Sequence, residues 1–449
     1  MAKPVHGSGI RTGLGNQRKG LRLRKTIQRY ALLARHQAFR RFWLGMMISR
    51  AGDAFTAVAL SWVVLGIAGP LQLGVVLMCF GLPRVVSGPI AGRALARTDP
   101  RLLLAADNAA RGMLIAVVPV LLWFHHLVVA DLYGIAVASA LLSAVTEVAE
   151  AALVPQMVAD DHLEIANSLL AANWELAAIA GPVASGVIVA TVGAGFALLL
   201  DAVSFAVMSA LCLRLPAFRP VRPARTAHPG GRTADRNWLG LGILLRFPGV
   251  LVLTACGVGM LCLDGIATVL YPVYCRTYLH VTAGGYGILV SAAGAGALLG
   301  VVAGTGLFGR LAPQGAPAPW LRIGALIACG APLFGLLRFA PDLPVAAVLL
   351  GLATFCWGPY FALDRTLTQR LVPDDVRGRL VGVRMAVSSL GFPLGSAIGG
   401  ALIGATGPQT MILAVAAAYL ALGSLPLLAS GVHVYPAARP VTPAGQNAE

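Results

Sequence analysis

Four ionisable side chains fall inside stretches of sequence that are otherwise apolar enough to cross a membrane. Arg50 and Asp53 lie in the first stretch, Arg84 lies in the second and Glu175 lies in the fifth. A charge at the centre of a bilayer costs about 2.5–3.5 kcal/mol on insertion scales, so each residue needs a partner, water or a function. At about 1.5 Å per helical residue, Asp53 lies close to the bilayer midplane. We predict that the four residues line one central cavity.

The carboxyl group of Asp53 suits reversible proton binding. Apolar surroundings favour the neutral carboxylic acid, whereas a neighbouring guanidinium favours the carboxylate. Arg50 precedes Asp53 by three residues on the same helix face, and Arg84 is a second candidate partner. A carboxyl group that alternates between the two environments would bind and release a proton in each cycle. The alternative is a permanent Arg50–Asp53 pair that orients helices.

Acidic residues elsewhere in the apolar stretches have weaker assignments. Glu147 and Glu150, spaced i, i+3 near the end of the fourth stretch, would either attract a cationic substrate or pair with loop arginines. The remaining charges in these stretches include Asp201, Asp364 and Arg365.

Candidates for a substrate cavity are present in both parts of the chain. Asp264 is the acid well inside the seventh stretch and is the best candidate of the C-terminal part. Aromatic rings would line an amphipathic pocket, although packing in the core or at the membrane interface is the alternative for each of them. The aromatic candidates are Trp62, Trp174, Tyr271 and Trp357.

The composition places the chain in a membrane. Of its 449 residues, 57% are hydrophobic and 12% are charged, and the mean hydropathy is +0.79. Soluble domains contain roughly 25% charged residues. The 34 Lys and Arg exceed the 18 Asp and Glu, and they concentrate in residues 1–41 and 214–246, directly beside apolar stretches. This distribution indicates charges that set topology and contact anionic lipid head groups, and it argues against nucleic-acid binding.

Apolar stretches long enough to cross a bilayer as helices can be counted along the chain. The sequence predicts an all-α membrane protein with twelve transmembrane helices, at 42–68, 72–96, 102–124, 131–154, 166–191, 195–214, 248–275, 284–309, 320–340, 344–369, 380–404 and 409–431.

Basic residues predict the orientation of these helices. The loops on one side carry most of the Lys and Arg, whereas the loops on the other side carry Arg276 and Arg338. By the positive-inside rule, both termini are cytoplasmic. The predicted units are a basic tail (1–41), an N-terminal six-helix bundle (42–214), a central loop (215–247), a C-terminal six-helix bundle (248–431) and a second cytoplasmic tail (432–449).

The two bundles share a repeated pattern of glycines. A parallel repeat of six-helix halves is typical of transporters, with the substrate site between the halves near the bilayer midplane. The repeated glycines are Gly181, Gly186 and Gly193, which match Gly395, Gly400 and Gly407 at a constant offset.

Three longer patterns resemble a known family. FRRFWLGMMISRAGD precedes and enters the first helix, VP…AN…GP runs through the fifth, and VP…RGR leads into the eleventh. Together they resemble major facilitator superfamily transporters, and within them bacterial drug and siderophore exporters of the macrolide-efflux and enterobactin-exporter type. The resemblance implies proton-coupled export of an amphipathic small molecule, such as an antibiotic or secondary metabolite, by alternating access. It also implies a monomer in the bacterial cytoplasmic (inner) membrane, without a cofactor or enzymatic activity.

The loop after the second helix resembles the superfamily signature G-x-x-x-D-R-x-G-R-R. Its acidic position is missing or displaced to Asp99. In the family this loop latches the cytoplasmic ends of the two halves, and Asp107 and Arg111, one turn apart on the third helix, would complete the latch. The alternative is that these arginines fix topology alone. The other latch candidates are Gly88, Gly92, Arg93, Arg97 and Arg101.

Gly181-Pro182, followed by Gly186, resembles the antiporter motif of the family. Its glycines allow close helix approach and its proline bends the helix, which would seal a leak through the outer half. The motif favours export over the nearest alternative, a proton-coupled importer. A polytopic membrane enzyme or a receptor is a more distant alternative, because the sequence lacks an evident reactive cluster, a metal-ligand pattern and a nucleotide-binding loop.

Overall fold

A computed structural model describes residues 36–218, 241–311 and 318–429. Within these ranges every regular element is helical, and twelve segments are long and apolar enough to cross a membrane. The predicted all-α membrane fold with twelve spans is therefore confirmed. Most of the basic tail, most of the central loop and the predicted C-terminal tail lie outside the described residues.

The N-terminal half contains the first six spans, which we number in chain order. Span 1 begins at Gln37 rather than at residue 42, because Phe39 and Phe42 are buried against the bundle. A short 3₁₀ turn, Asp160–His162, precedes span 5. The spans are Gln37–Ile67, Pro70–Leu95, Pro100–Trp123, Val129–Met157, Leu163–Thr191 and Ala194–Leu213.

The C-terminal half contains spans 7 to 12, and three of these spans are interrupted helices. A short helix, Leu241–Leu245, precedes the half, and 3₁₀ turns at Leu337–Phe339 and Leu425–Ala429 end spans 9 and 12. The spans are Pro248–Thr277, Ala283–Leu311, Ala318–Cys329 with Ala331–Leu336, Leu343–Trp357 with Tyr360–Leu371, Asp374–Ser388 with Gly391–Thr406, and Pro408–Ser424.

The turns between spans 5 and 6 and between spans 11 and 12 use glycines in the same conformation. Gly193 has φ +108° and Gly407 has φ +79°, a region that is costly for residues with a Cβ atom. These glycines were predicted as repeat partners from their spacing. Their shared backbone geometry supports the internal repeat.

The two halves also share one packing pattern. Span 1 packs on spans 5 and 6, span 2 on span 4, and span 3 on span 6. Span 7 packs in the same way on spans 11 and 12, span 8 on span 10, and span 9 on span 12. Between the halves, span 2 packs on span 11 and span 5 on span 8. The predicted arrangement of two six-helix halves is confirmed.

The spans end at two faces of the bundle. At one face, which we call the basic face, the spans end near residues 36, 97, 160, 214, 246 and 372. At the other, which we call the opposite face, they end near residues 68, 126, 192, 280, 341 and 407. Arg41, Arg97 and Arg214 lie at the basic face. Arg276 and Arg338 lie at the opposite face.

The halves approach each other most closely toward the opposite face. A Cβ atom on Gly74 of span 2 would collide with the backbone of span 11 at Ser396. A Cβ atom on Gly287 of span 8 would collide with the backbone of span 5 at Pro182. Small residues permit such backbone contacts where no hydrophobic force drives helices together. The halves are therefore closed on this side.

Toward the basic face, the same four spans expose side chains instead. Val86 of span 2, Leu299 of span 8 and Met385 of span 11 are each more than half exposed, at 63%, 59% and 69%. Glu175 of span 5, one turn from the Ile179 side chain that contacts span 8, is also exposed. Span 2 packs on the Gly391–Thr406 part of span 11 and not on its Asp374–Ser388 part, so the space between these two spans opens toward the basic face.

Candidate functional site

A cavity of about 450 Å³ lies near the midpoints of the spans. Its walls come almost entirely from the N-terminal half, and span 11 contributes Phe392. The walls are mainly apolar and include five charged residues. The charged residues are Arg50, Asp53, Arg84, Arg111 and Asp201, and the larger apolar residues are Leu60, Leu77, Phe80, Ile115, Trp174, Phe205 and Phe392.

The predicted Arg50–Asp53 pair is wrong in this structure. Arg50 pairs with Glu150 of span 4, at 3.3 Å between Nη2 and Oε2. The Arg50 guanidinium also lies over the ring of Trp174, 3.9 Å from its centroid. The spacing i, i+3 places Arg50 and Asp53 on one helix face, but spans 4 and 5 supply partners that a single helix does not reveal.

Asp53 pairs with Arg111 of span 3, at 3.2 Å between Oδ1 and Nη2. The Asp53 side chain is 36% exposed to the cavity, whereas that of Arg111 is 10% exposed. The guanidinium of Arg111 lies 4.3 Å from the ring centroid of Phe205. Asp53 therefore combines a buried cation with access to the cavity.

Two further acids lie behind this pair. Asp107 is 3% exposed and accepts a hydrogen bond from the Thr146 hydroxyl at 2.8 Å. Asp201 is 1% exposed and accepts hydrogen bonds from the hydroxyls of Thr56 and Ser204. Neither acid forms an ion pair with an arginine among the described residues.

Arg84 and Glu147 form an open pair at the basic-face side of the cavity. Their charged atoms are 3.7 Å apart, and the side chains are 43% and 51% exposed. The Arg84 Nε also donates to the Ser143 hydroxyl at 2.9 Å. A pair this exposed contributes little to stability, because water competes with it. The prediction that Arg84 lines the cavity agrees with its position.

Several predicted site residues lie away from the cavity. Glu175 is exposed and is not among the lining residues, because it lies on a different side of span 5 from Trp174. Trp62 stacks on Tyr286 of span 8 with centroids 6.5 Å apart, near the opposite face. Trp357 is 8% exposed and its indole donates to the Ile327 carbonyl, so it belongs to the core of its half.

The C-terminal half has a different polar interior. Asp364 accepts two hydrogen bonds from Nη2 of Arg384, both at 2.6 Å, and Arg384 also donates to the Thr368 hydroxyl. Both ionised side chains are nearly buried, at 10% and 12% exposure. Asp264 lies apart from this pair, close to Tyr271 and Tyr419. Asp264 and Tyr271 are not among the residues that line the cavity.

Among the described residues, no side chain of the C-terminal half pairs with Arg93, Arg97 or Arg101. Arg93 and Arg97 are exposed, and a Cβ atom on Gly88 or Gly92 would meet open space. Asp99 caps span 3 by accepting the backbone N–H of Arg101, and it pairs with the same arginine at 3.1 Å. Arg101 also donates to the Leu215 carbonyl just after span 6, so its described contacts lie within the N-terminal half.

Asp107 and Arg111 lie inside the N-terminal half and not at the latch, so that assignment is corrected. Both side chains are buried near the middle of span 3, where Arg111 binds Asp53. The position of Arg111 well inside the third apolar stretch was the signal for this role. The C-terminal arginine Arg384 was missed, because it follows the basic VP…RGR segment and resembles a topology charge.

The glycines of the predicted antiporter motif lie at close helix contacts. A Cβ atom on Gly181 would collide with Ala54 of span 1. A Cβ atom on Gly186 would meet the backbone of Ala283, Gly284 and Gly287 in span 8. The motif therefore holds span 5 against both span 1 and the partner half.

Chemically, the site can bind an amphipathic molecule and can exchange protons. Among the described residues, no group of three or more His, Cys, Asp or Glu side chains is placed to hold a metal ion. Twelve spans in two halves, with a largely apolar cavity that carries charged residues on its wall, define a membrane transporter.

A family model described as Major Facilitator Superfamily matches residues 42–392. The chain belongs to the major facilitator superfamily and is a transporter rather than an enzyme.

Individual relatives agree with this family. The multidrug efflux pump Tap of Mycolicibacterium fortuitum is 28% identical over 383 residues, which cover 83% of this chain and 91% of the relative. The enterobactin exporter EntS of Shigella boydii is 28% identical over 270 residues, or 60% of each chain. The predicted resemblance to drug and siderophore exporters is confirmed by these relatives.

Among solved structures, the nucleoside transporter NupG superposes with a TM-score of 0.65. The superposition covers 87% of this chain and 98% of that chain at 14% identity. At this identity the match shows the shared fold alone.

Proposed function

We propose that this transporter exports an amphipathic small molecule, such as an antibiotic or secondary metabolite, in exchange for protons. The observation that carries the proposal is the Asp53–Arg111 pair in the wall of a largely apolar cavity. A cavity of about 450 Å³ lies within the range of roughly 300–1,000 Å³ that holds drug-sized ligands. The relatives named as a multidrug efflux pump and as an enterobactin exporter support export.

Alternating access follows from the way the halves meet. In our proposal the basic face is cytoplasmic, both termini lie on that side, and the membrane is the bacterial cytoplasmic (inner) membrane. The open cavity then takes its cargo from the cytoplasm or the inner leaflet. Rocking of the halves would close the basic face, where the latch residues Arg93 and Arg97 are exposed. The same movement would open the contacts around Gly287 on the opposite face.

Proton coupling arises from competition for Asp53. When Asp53 is ionised, its carboxylate holds Arg111; when it is protonated, the pair loses its charge attraction and Arg111 is released. A cargo group that binds the Asp53 carboxylate therefore displaces a proton from it. A cargo group that binds Arg111 depends on a proton at Asp53, because that proton releases the arginine. Arg50 and Arg84 keep the predicted place on the cavity wall, as partners of Glu150 and Glu147. Glu175 is left out of the proposed site because it does not line the cavity.

The C-terminal half would contribute mainly to the shape of the cavity. Phe392 is its residue on the cavity wall. Asp264 and Tyr271, the predicted cavity residues of this half, remain candidates for a wall that forms when the halves rock. The transporter acts as a monomer in this proposal, because each chain contains both halves.

Transport in proteoliposomes tests the proposal. We would reconstitute the full chain and follow ethidium, a fluorescent amphipathic cation, under an imposed pH gradient. The unaltered protein is expected to move ethidium toward the acidic side. Asp53→Asn is expected to lose the stimulation by the gradient while it still binds ethidium. The surface change Asp160→Asn removes one exposed carboxylate and serves as the matched control.

Two outcomes would contradict the proposal. Unchanged coupling in Asp53→Asn would remove this residue from the proton site. In liposomes of known orientation, a cargo that moves only in the same direction as the protons, from the acidic to the alkaline side, would favour the proton-coupled importer.

A further inference from the structure

Asp201 occupies a small polar pocket that spans 1 and 6 build together. Its carboxylate accepts hydrogen bonds from the hydroxyl of Thr56 in span 1 and from that of Ser204, at 3.1 Å, one turn away. A Cβ atom at position 52 would collide with both the Asp201 carboxylate and the Ser204 hydroxyl. Gly52, next to Asp53, therefore leaves the space that lets a buried acid lie against the backbone of span 1.

The charges around Asp201 leave this acid without its own cation. Span 1 presents Asp53, and span 3 presents Arg111, which is paired with Asp53 at 3.2 Å. Span 3 also presents Asp107, which faces the same arginine. Within the described part of the chain, the Arg111 guanidinium is thus the cation near all three carboxyl groups. No cation in these described residues lies within ion-pair distance of Asp201. A buried carboxylate without a cation is costly, so such a site favours bound protons.

The partners of Asp201 suit both of its protonation states. A hydroxyl group can donate to a carboxylate or accept from a carboxylic acid, because its hydrogen rotates. A guanidinium, in contrast, can only donate. Thr56 and Asp201 both line the cavity, so the hydroxyl of Thr56 connects the carboxyl group with cavity water. The pocket can therefore hold Asp201 with or without its proton, with little rearrangement.

We propose that Asp201 is a second proton-binding residue of the transport cycle, which exchanges its proton with cavity water through the Thr56 hydroxyl. This inference rests on the proposed function and adds a proton site that is separate from the cargo-facing Asp53. In one step, water in the cavity delivers a proton to the Asp201 carboxylate; in the reverse step, the acid returns that proton to water. When Asp53 is protonated, ionised Asp201 is the acceptor for the released Arg111.

Infrared difference spectroscopy between acidic and alkaline pH tests proton binding without any cargo. The reconstituted full chain is expected to show the carbonyl band of protonated carboxyl groups in apolar surroundings. Asp201→Asn should remove one component of this band, and Asp201→Glu should shift that component. Asp160→Asn should leave the band unchanged. A spectrum of Asp201→Asn identical to that of the unaltered protein would overturn the inference.

A matched pair of variants at Thr56 tests the exchange path. Thr56→Val removes the hydroxyl at nearly constant volume, whereas Thr56→Ser keeps it. We expect Thr56→Val to slow ethidium movement driven by a pH gradient, because valine cannot pass a proton between Asp201 and cavity water. Thr56→Ser should stay close to the unaltered protein. Equal rates for the two variants would contradict the relay.

The failure of the inference is distinguishable from the failure of the proposed function. If the unaltered protein shows no gradient-driven transport but keeps the infrared band of Asp201, proton-coupled export is wrong and proton binding at Asp201 stands. If transport is coupled, and Asp201→Asn keeps both the coupling and the band, the second proton site is wrong and the proposed function stands. Gel filtration and thermal unfolding of each variant identify any that fail to fold.

Discussion

The two halves of the molecule share one fold but treat buried charge in opposite ways. In the N-terminal half, Asp53 and Arg111 are paired in the wall of a water-accessible cavity, and Asp107 and Asp201 lie behind them with hydroxyl partners. In the C-terminal half, Asp364 and Arg384 form one closed pair that satisfies both carboxylate oxygens. The same framework thus holds three acids around one arginine beside a cavity in one half and one closed ion pair in the other.

The internal repeat allows the two halves to be compared at equivalent acidic residues. Counting by the offset that relates Gly186 to Gly400, Glu150 of span 4 corresponds to Asp364 of span 10. Glu150 binds Arg50 at the cavity, whereas Asp364 binds an arginine of span 11 in the interior. Equivalent acids therefore pair with arginines of different spans, and only the Arg50 pair includes a residue of the cavity wall. The predictions below test this difference, beginning with the largest effect.

Removal of one arginine from each half should separate structural from functional charge. Arg384→Ala leaves Asp364 buried without a cation, and we expect a loss of about 3–5 kcal/mol in stability. Arg50→Ala should change the unfolding temperature less, because the Glu150 side chain that it leaves unpaired is 21% exposed, whereas that of Asp364 is 10% exposed, while transport is lost. Thermal unfolding in detergent and ethidium transport measure the two effects. Similar unfolding shifts for both variants would remove the distinction between the halves.

Filling the contact between the halves should affect transport before it affects folding. Gly287→Leu places a side chain where span 8 meets the backbone of span 5 at Pro182. Overpacking of this kind costs about 1–3 kcal/mol, and here it opposes closure on the opposite face. Gly134→Leu, at a glycine with open space around its Cβ position, is the matched control. Accessibility of single cysteines from each side reports the shift; equal labelling of both variants would contradict the packing argument.

Substitution of the aromatic residue Trp174 on the cavity wall should have a smaller effect, mainly on ethidium binding. Trp174→Ala removes the ring beneath Arg50, and cation–π contacts contribute about 0.5–2 kcal/mol, which depends on their exposure. We expect weaker ethidium binding and looser positioning of Arg50, with little change in unfolding temperature. Trp174→Phe, which keeps an aromatic ring, should recover part of the affinity. Equal affinity of the alanine and phenylalanine variants, measured by fluorescence titration, would rule out a role for the ring.

The smallest effect is expected at the latch. Arg97→Gln changes an exposed residue of the basic face, and exposed substitutions usually stay within about 0.5 kcal/mol. Stability should therefore be unchanged, whereas the rate of cargo release on the opposite face should fall if the latch closes the basic face. Transport by Arg97→Lys, which keeps the charge, is the control. A fall in stability without a change in transport would assign this arginine to the folded structure alone.

The fold was predictable because a bilayer imposes strong constraints. Helix length and hydropathy predicted all twelve spans, and spaced glycines predicted the repeat, since backbone contact between helices requires small residues. Bounds shifted where helices extend beyond the apolar stretch, as at Gln37. Interruptions such as the break after Trp357 were not predicted, although this one falls at Gly358-Pro359, where a proline without an N–H interrupts the helix.

The site was predictable only in part. Burial of charge in an apolar stretch placed Arg50, Asp53 and Arg84 correctly on one cavity. Their partners were not predictable, because ion pairs between spans depend on helix rotation, which hydropathy does not define. Arg111 was assigned to the latch by its spacing from Asp107, although its depth in the stretch favoured the interior. Asp201 was noted as an intramembrane charge, but its hydroxyl partners come from another span and a neighbouring turn.

Phe392 has a consequence for how cargo size acts on the protein. It is the residue through which the C-terminal half meets the cavity, and its neighbour Pro393 abuts Gly81 of span 2 at the seam between the halves. A molecule large enough to fill the cavity would contact this ring beside the seam, whereas a smaller one would not. Cargo size, separately from cargo charge, would therefore reach the contact between the halves through one phenyl group.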